Sequence, residues 1–209
     1  MVGRLNKWLA KVLANRLKLI VGKVVSKAQN AFEEGRQILD AALVANKVIY
    51  SILKSTEGVV LCKLNIEKAY DHVDWSFLLS IMGMMGFGEK WLQWMQWCIF
   101  TTSFFVLVNE TSLGFFQSFK GLRRGDPLSP YLFVIAMKAL SRILRKAISG
   151  GFLLACKLRG GGGEGAHVSH LLFADDTLVF CGASQDQMKY LSWTLLWFEA
   201  ISGLRINLD

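Results

Sequence analysis

Proline, histidine and paired cysteine are all scarce in this sequence. Only two prolines occur in 209 residues, Pro127 and Pro130, and both fall in one short stretch. That excludes a proline-rich linker or polyproline architecture and marks the stretch that holds both as a shaped loop. There are three histidines, and none stands at zinc spacing with a cysteine, so a zinc-finger module is excluded. Cys62, Cys98, Cys156 and Cys181 stand singly, with no Cys-x-x-Cys pair. Three of them sit in apolar runs, which is the pattern of reduced and mostly buried thiols in a nuclear or cytoplasmic protein. The first residues lack the apolar core and small-residue site of a secretory signal, so secretion is not expected. Acidic residues are in short supply as well: 16 Asp and Glu stand against 24 Lys and Arg, a net charge of +8 and a pI near 9.4.

What is present fits a folded, basic domain. Hydrophobic residues make up 53% and aromatics 12%, which excludes disorder. The length allows one domain, or one with two lobes, around a sizeable core. The basic balance points to a polyanionic partner, nucleic acid first. The run from Trp91 to Asn109 carries no charge, but Gln93, Gln96, Thr101, Thr102 and Ser103 interrupt it. It reads as a buried helix followed by a strand, not as a membrane span.

Taken in order, Arg4 to Lys27 has helical spacing, with Leu9, Val12, Leu13, Leu17, Ile20 and Val24 on one side and most of its lysines and arginines on the other. A second helix is expected over Ile38 to Leu53. Val59 to Ile66 reads as a central strand. Asp74 is placed to cap a helix over Trp75 to Met85. Glu89 to Phe100 follows, and its three tryptophans suggest a heavily buried helix. Ser103 to Asn109 and Thr111 to Phe119 form a hairpin turning at Asn109-Glu110. The proline-bearing loop leads into a long helix, Tyr131 to Ile148. Gly160 to Gly163 is a flexible connector. Gln185 to Ile201 is a last helix, with Leu191, Leu195, Leu196 and Phe198 as its core and Gly203 as its cap. A short strand then reaches Asp209, and a strand ending with the sequence suggests a fragment.

The centre of the chain is His170-Leu171-Leu172-Phe173-Ala174-Asp175-Asp176-Thr177-Leu178-Val179-Phe180. Two adjacent acids interrupt an apolar run and are expected at a tight turn between short strands. Two like charges at the tip of a buried hairpin cost free energy unless a cation sits between them. Hard oxygen ligands of this kind suit Mg²⁺. A solvated Asp-Asp turn is the alternative for the pair taken alone.

Four stretches together resemble the motifs of LINE-type, non-long-terminal-repeat retroelement reverse transcriptases. Leu64-Asn65-Ile66-Glu67-Lys68-Ala69-Tyr70-Asp71-His72-Val73-Asp74-Trp75 is similar to the first motif. Gly121-Leu122-Arg123-Arg124-Gly125-Asp126-Pro127-Leu128-Ser129-Pro130-Tyr131-Leu132-Phe133 is similar to the second, Phe173-Ala174-Asp175-Asp176 to the third, and Phe198 to Asn207 to the fourth. Residues 11–17 and 29–40 resemble the preceding fingers segments in the form usual for plant elements.

The resemblance implies an α+β palm and fingers fold, a mixed sheet with packed helices and without a thumb. Residues 1–58 would be fingers-like and residues 59–209 palm-like with interleaved fingers elements. It implies RNA-directed DNA polymerisation by two-metal nucleotidyl transfer, using Mg²⁺ or Mn²⁺, an RNA template, a DNA primer and dNTP. By resemblance Asp175, Asp176 and the backbone carbonyl of Ile66 hold metal. Tyr70 lies under the incoming sugar, Arg124, Gly125 and Pro127 shape the template and nucleotide loop, and Arg36 reaches the triphosphate. The first-motif aspartate is replaced by Asn65, which removes a full charge from a site for two dications. Glu67 and Asp71 are the nearby acids that could substitute. An inactive or weak polymerase is expected, or a non-catalytic RNA-binding remnant.

Overall fold

The structure is a computed structural model, and it describes residues 2–25, 28–29, 31, 35, 37–54, 58–101, 103–157 and 167–207. Residues 160–163, expected as a connector, and Arg36 and Asp209 lie outside the described residues. The fold is α+β.

Helix α1 (Val2–Val24) buries Ala10, Leu13, Ala14, Leu17 and Val21, an i, i+3, i+4, i+7 stripe. Val12 falls on the other side and is exposed. Helix α2 (Ile38–Leu53) starts where Asp40 reaches back and accepts a bond from the Gln37 N–H at 2.8 Å. Strand β1 (Val59–Glu67) is followed by the single turn α3 (Ala69–His72). Helices α4 (Trp75–Met84) and α5 (Glu89–Phe100) come next, then the hairpin β2 (Ser103–Val108) and β3 (Thr111–Gln117). Helix α6 (Ser129–Ser149) begins at Ser129 because Pro130 fits the first turn, where no N–H is needed. The short pair β4 (Cys156–Lys157) and β5 (His167–Val168) precedes β6 (His170–Phe173) and β7 (Asp176–Gly182). Helix α7 (Gln185–Ser202) and β8 (Arg205–Asn207) complete the chain.

The main sheet has the order β6-β7-β1-β8, with every named pair antiparallel. A parallel bridge from Gln29 to Leu172 on β6 gives it its mixed character. One face carries Leu64, Ile66, Leu172, Val179 and Cys181 into the main core, with residues of α1, α4, α5, α6 and α7. A smaller cluster, Ala45 and Val48 of α2 with Leu171 and Phe180, covers the β6–β7 end of the other face. Strand β1 alternates, so Lys63, Asn65 and Glu67 stay exposed on that second face while Leu64 and Ile66 are buried. The sheet is therefore closed on one side and partly open on the other, over β1.

Three expectations change. Helix α5 is not heavily buried: only Met95 and Ile99 are enclosed, and Trp94 and Trp97 are 40% and 38% exposed. Its large residues encircle the helix, so only one face meets the core: Met95 and Ile99 at its centre, with Trp91, Leu92 and Cys98 partly buried beside them. Leu196 of α7 is exposed because Leu191, Leu195 and Phe198 define the inward stripe, and residue 196 lies about 100° around the helix from 195. Asp176 is not in the turn. It is the first residue of β7, the turn is Ala174-Asp175, and both acids are exposed.

Candidate active site

The acidic hairpin is shaped by its smallest turn. Phe173 pairs with Asp176, leaving Ala174 and Asp175 as a two-residue loop, with Ala174 at φ 52°. Positive φ at the first loop position suits the twist of the flanking strands. The Asp175 carbonyl accepts a bond from the Ile66 N–H at 3.3 Å, which fastens this turn to β1. The Ile66 side chain is buried on the opposite face, so only its main chain is presented here.

Asn65 lies in register with Asp176 on one side and with Asn207 of β8 on the other. Register partners share a face of the sheet, so the amide and the carboxylate project together. Lys63 occupies the same face two residues earlier, and its Nζ is 3.4 Å from Asp176 Oδ1. Both side chains are more than half exposed, so water weakens this pair.

Asn65, Ile66, Tyr70, Arg124, Gly125 and Asp175 line one cleft of about 760 Å³. Asp176 and Pro127 do not line it. The Tyr70 ring packs on Phe133 with centroids 5.3 Å apart and planes at 50°. Its phenol is pushed above the usual tyrosine range, by burial first and then by the Asp175 charge. Tyr70 therefore stays a neutral hydrogen-bonding group beside the acidic turn.

The proline-bearing loop is stitched to the first motif through main chain. Leu122 N–H donates to the Tyr70 carbonyl at 2.6 Å, and Gly121 N–H to the Val73 carbonyl at 2.8 Å. Trp75 Nε1 donates to the Gly121 carbonyl at 2.6 Å. Gly121 sits at φ 87°, and a Cβ there would lie 2.7 Å from the Asp71 carbonyl oxygen, so no larger residue fits. Further on, Asp126 Oδ1 accepts from the Leu128 N–H at 2.9 Å, and Ser129 Oγ donates to the Arg123 carbonyl at 2.6 Å. These bonds set the start of α6 against the cleft. Arg124 Nη2 bonds Asp71 Oδ2 at 2.9 Å, joining the loop to α3. From the chain's last segment, Ser202 accepts from the Asp74 N–H at 2.9 Å.

Among the described residues, no three His, Cys, Asp or Glu side chains converge as a metal-holding group. Glu67 shares the face of Asn65 but stands in register with Arg205, and Asp71 is engaged by Arg124. Glu67 lines the same cleft as Asp175, yet among the described residues neither acid completes a three-ligand group with Asp175 and Asp176. The oxygen donors at the turn are two carboxylates and one neutral amide, with an ammonium against one carboxylate. That set does not fit a centre for two dications.

One residue beside the acidic turn, Lys63, and two contacts, Tyr70 on Phe133 and Asp71 with Arg124, lie outside the sequence expectations. Lys63 was legible, because strand period 2 places it on the face of Asn65. Phe133 beneath Tyr70 and the Asp71–Arg124 pair carry no local signal, since their partners come from distant segments.

Comparison with known proteins agrees with this geometry. Residues 4–209 match the family described as reverse transcriptase (RNA-dependent DNA polymerase). An uncharacterized 149 kDa protein of transposon TX1 from Xenopus laevis is 25% identical over 144 residues, 69% of this chain and 11% of that protein. The Pol polyprotein of a type-1 retrotransposable element R2 from Nasonia vitripennis is 24% identical over 184 residues, 87% of this chain and 16% of the polyprotein. The chain thus spans less than a fifth of the length of these relatives. Telomerase from Candida albicans, solved with a fragment of telomeric RNA, superposes with a TM-score of 0.66 at 11% identity, over 94% of this chain and 33% of the telomerase chain, and so shares the fold. The chain belongs to the reverse transcriptase (RNA-dependent DNA polymerase) family, and its relatives place it with the LINE-type retrotransposons.

Proposed function

We propose that this chain is the polymerase core of a retrotransposon, that its cleft takes an RNA template, a DNA primer end and an incoming dNTP, and that it is inactive or very weak as a catalyst. The observation that carries this reading is Asn65 in register with Asp176 and beside Asp175, with no group of three metal-ligating side chains among the described residues, although Glu67 and Asp126 line the same cleft. Reverse transcriptases bind nucleic acid and generally use divalent metals. In this chemistry two Mg²⁺ or Mn²⁺ ions stabilise the attacking and leaving oxygens of an in-line displacement. The donors at the turn fall one charge short of that requirement, because Asn65 contributes a neutral oxygen.

The remaining residues retain binding roles. Tyr70, held on Phe133, offers an apolar platform for the sugar of a nucleotide. Arg124 supplies a planar cation at the cleft wall, suited to phosphate, although Asp71 already engages it. Residues 1–58 act as the fingers side and residues 59–209 as the palm.

Primer extension on an RNA template with Mg²⁺ tests the reading, comparing this chain with Asn65→Asp and with Asn65→Asp/Asp175→Ala. Extension that appears only in Asn65→Asp supports a sound cleft with a broken metal site. Extension by the unaltered chain at a rate comparable to Asn65→Asp would sink the proposed inactivity. If none of the three extends a primer, the polymerase-core reading of this chain fails and RNA binding alone remains.

A further inference from the structure

A second open trough, of about 1100 Å³, lies beside the C-terminal half of α6 and shares no residue with the catalytic cleft. Lys138, Arg142, Arg145 and Ser149 line it at i, i+4, i+7 and i+11, so they form one row on the helix. Lys138 and Arg145 are about 10 Å apart along the axis. Lys146 and His167 add to the rim, and no acidic residue lines the trough among the described residues. No ion pair among the described residues engages any of the four cations. Lys138 is held below the usual lysine range, by burial first and then by the charges of Arg142 and Arg145, so these groups are close enough to repel one another.

A cation near a helix C-terminus offsets the dipole there, and that alone can explain Lys146. It does not explain Lys138, which sits mid-helix eleven residues before the end. With no acidic partner among the described residues, a row of this kind is destabilising until an anion neutralises it. Guanidinium forks spaced along a helix suit a chain of phosphates, which they bond two oxygens at a time. The wall is hydroxylic at Ser149 and Ser169, and among the described residues lining it there is no Phe, Tyr, Trp, Asn or Gln for reading bases, only the exposed His167 ring at the rim. The expected contact is therefore to backbone and independent of sequence.

We propose that the α6 trough is a second RNA-binding site, in which Lys138, Arg142 and Arg145 hold the phosphates of a single strand apart from the catalytic cleft. The choice of RNA over other polyanions rests on the proposed polymerase reading, whereas the site itself rests on the row of cations.

The test is fluorescence anisotropy of a labelled 20-nucleotide uridine RNA over a salt series. It compares the chain with a Lys138→Gln/Arg142→Gln/Arg145→Gln variant and with the cleft variant Arg124→Gln. The triple variant should lose roughly tenfold or more in affinity near 0.1 M salt. Its slope of log affinity against log salt should fall by about 2, for three phosphates at about 0.7 each. Arg124→Gln should lower the slope by at most about 0.7, for a single phosphate. Unchanged affinity and slope in the triple variant would overturn the proposal, as would a loss confined to Arg124→Gln, which leaves the cleft as the RNA site and the polymerase reading standing. Displacement of the RNA by polyglutamate of equal charge as readily as by unlabelled RNA overturns the choice of RNA. Photo-crosslinking of 4-thiouridine RNA to the unaltered chain needs no folded variant: adducts on α6 support the site, and adducts only around residues 65–70 and 121–126 refute it.

Discussion

Asn65 and Asp176 face each other in register across β1 and β7, and Lys63 stands 3.4 Å from the Asp176 carboxylate. The three side chains make a short polar row in which one ammonium meets one carboxylate and the third group is neutral. Restoring a carboxylate at 65 changes the charge of this row without changing its shape, because Asp and Asn are nearly isosteric.

Asn65→Asp should therefore turn the hairpin into a metal-responsive element. Three carboxylates repel one another until a divalent ion binds, and an ion bound only by the folded state raises its stability. In thermal shift, Asn65→Asp is expected to melt at or slightly below the unaltered chain in EDTA. It should gain several degrees in 10 mM Mg²⁺, with a shift of at most about one degree in the unaltered chain. Equal shifts in both would place the ion elsewhere.

Two glycines in the proline-bearing loop separate space from conformation. Gly121→Ala meets the Asp71 carbonyl oxygen at 2.7 Å and also adopts φ 87°. Gly125→Ala adopts φ 77° with open space around it. Gly125→Ala should cost about 1 kcal/mol, the left-handed strain alone. Gly121→Ala should cost several kcal/mol or abolish cooperative unfolding. Urea titration followed by tryptophan fluorescence measures both.

Asp74 caps α4, with Oδ1 accepting from the Phe77 N–H at 2.8 Å and from the Ser76 hydroxyl. Asp74→Ala should cost about 1 kcal/mol at neutral pH, and Asp74→Ser most of that less. The carboxyl is held below the usual aspartate range, first by the Ser76 bond and then by the Phe77 N–H. Its contribution is thus complete above the unfolded value of 3.8 and disappears as pH falls through the lower folded value. Melting curves of the two proteins should converge in that acid window and stay apart above it.

His170 gives an acid response of its own. The ring is buried between hydroxyls, Ser141 at Nε2 and Ser169 at Nδ1. Burial first, and then the Arg145 charge, bring its pKa down to about 4 from 6.5. In the unfolded chain the ring takes its proton at higher pH than in the folded one, so folding stability is complete above 6.5 and falls as pH drops from 6.5 toward 4. The loss is on the order of 3 kcal/mol across that window. His170→Gln, which cannot titrate, should flatten the difference between melts at pH 7 and pH 4.5. An unchanged difference would assign the acid response to other groups.

Much of this fold was written locally. Helix α2 and strand β1 fell within a residue of their expected bounds because glycine-containing breaks bracket clean periodic runs. Asp74 and Gly203 are caps whose residue types announce them. The burial of α5 was not legible, because a helix with large residues all round does not reveal which face meets a partner. Asp176 was misplaced by one position: the choice between a two-residue and a longer turn depends on strand register, and that is settled by pairing with β1. Of the cleft, Asn65, Tyr70 and Asp175 were legible from motif and spacing. The Arg124–Asp71 bond and the Tyr70–Phe133 contact were not, because they are products of tertiary approach.

The backbone bond from Asp74 to Ser202 has a consequence for how the molecule is made. The two partners are separated by most of the sequence. On a ribosome adding about 5–20 residues per second, residue 202 emerges roughly ten seconds after residue 74. Through that interval the segment between β1 and α4 has its loop partner at Gly121 before its terminal one. The first motif thus has its Gly121 partner available some seconds before its Ser202 partner, and the Asp74 N–H stays with water until Ser202 arrives.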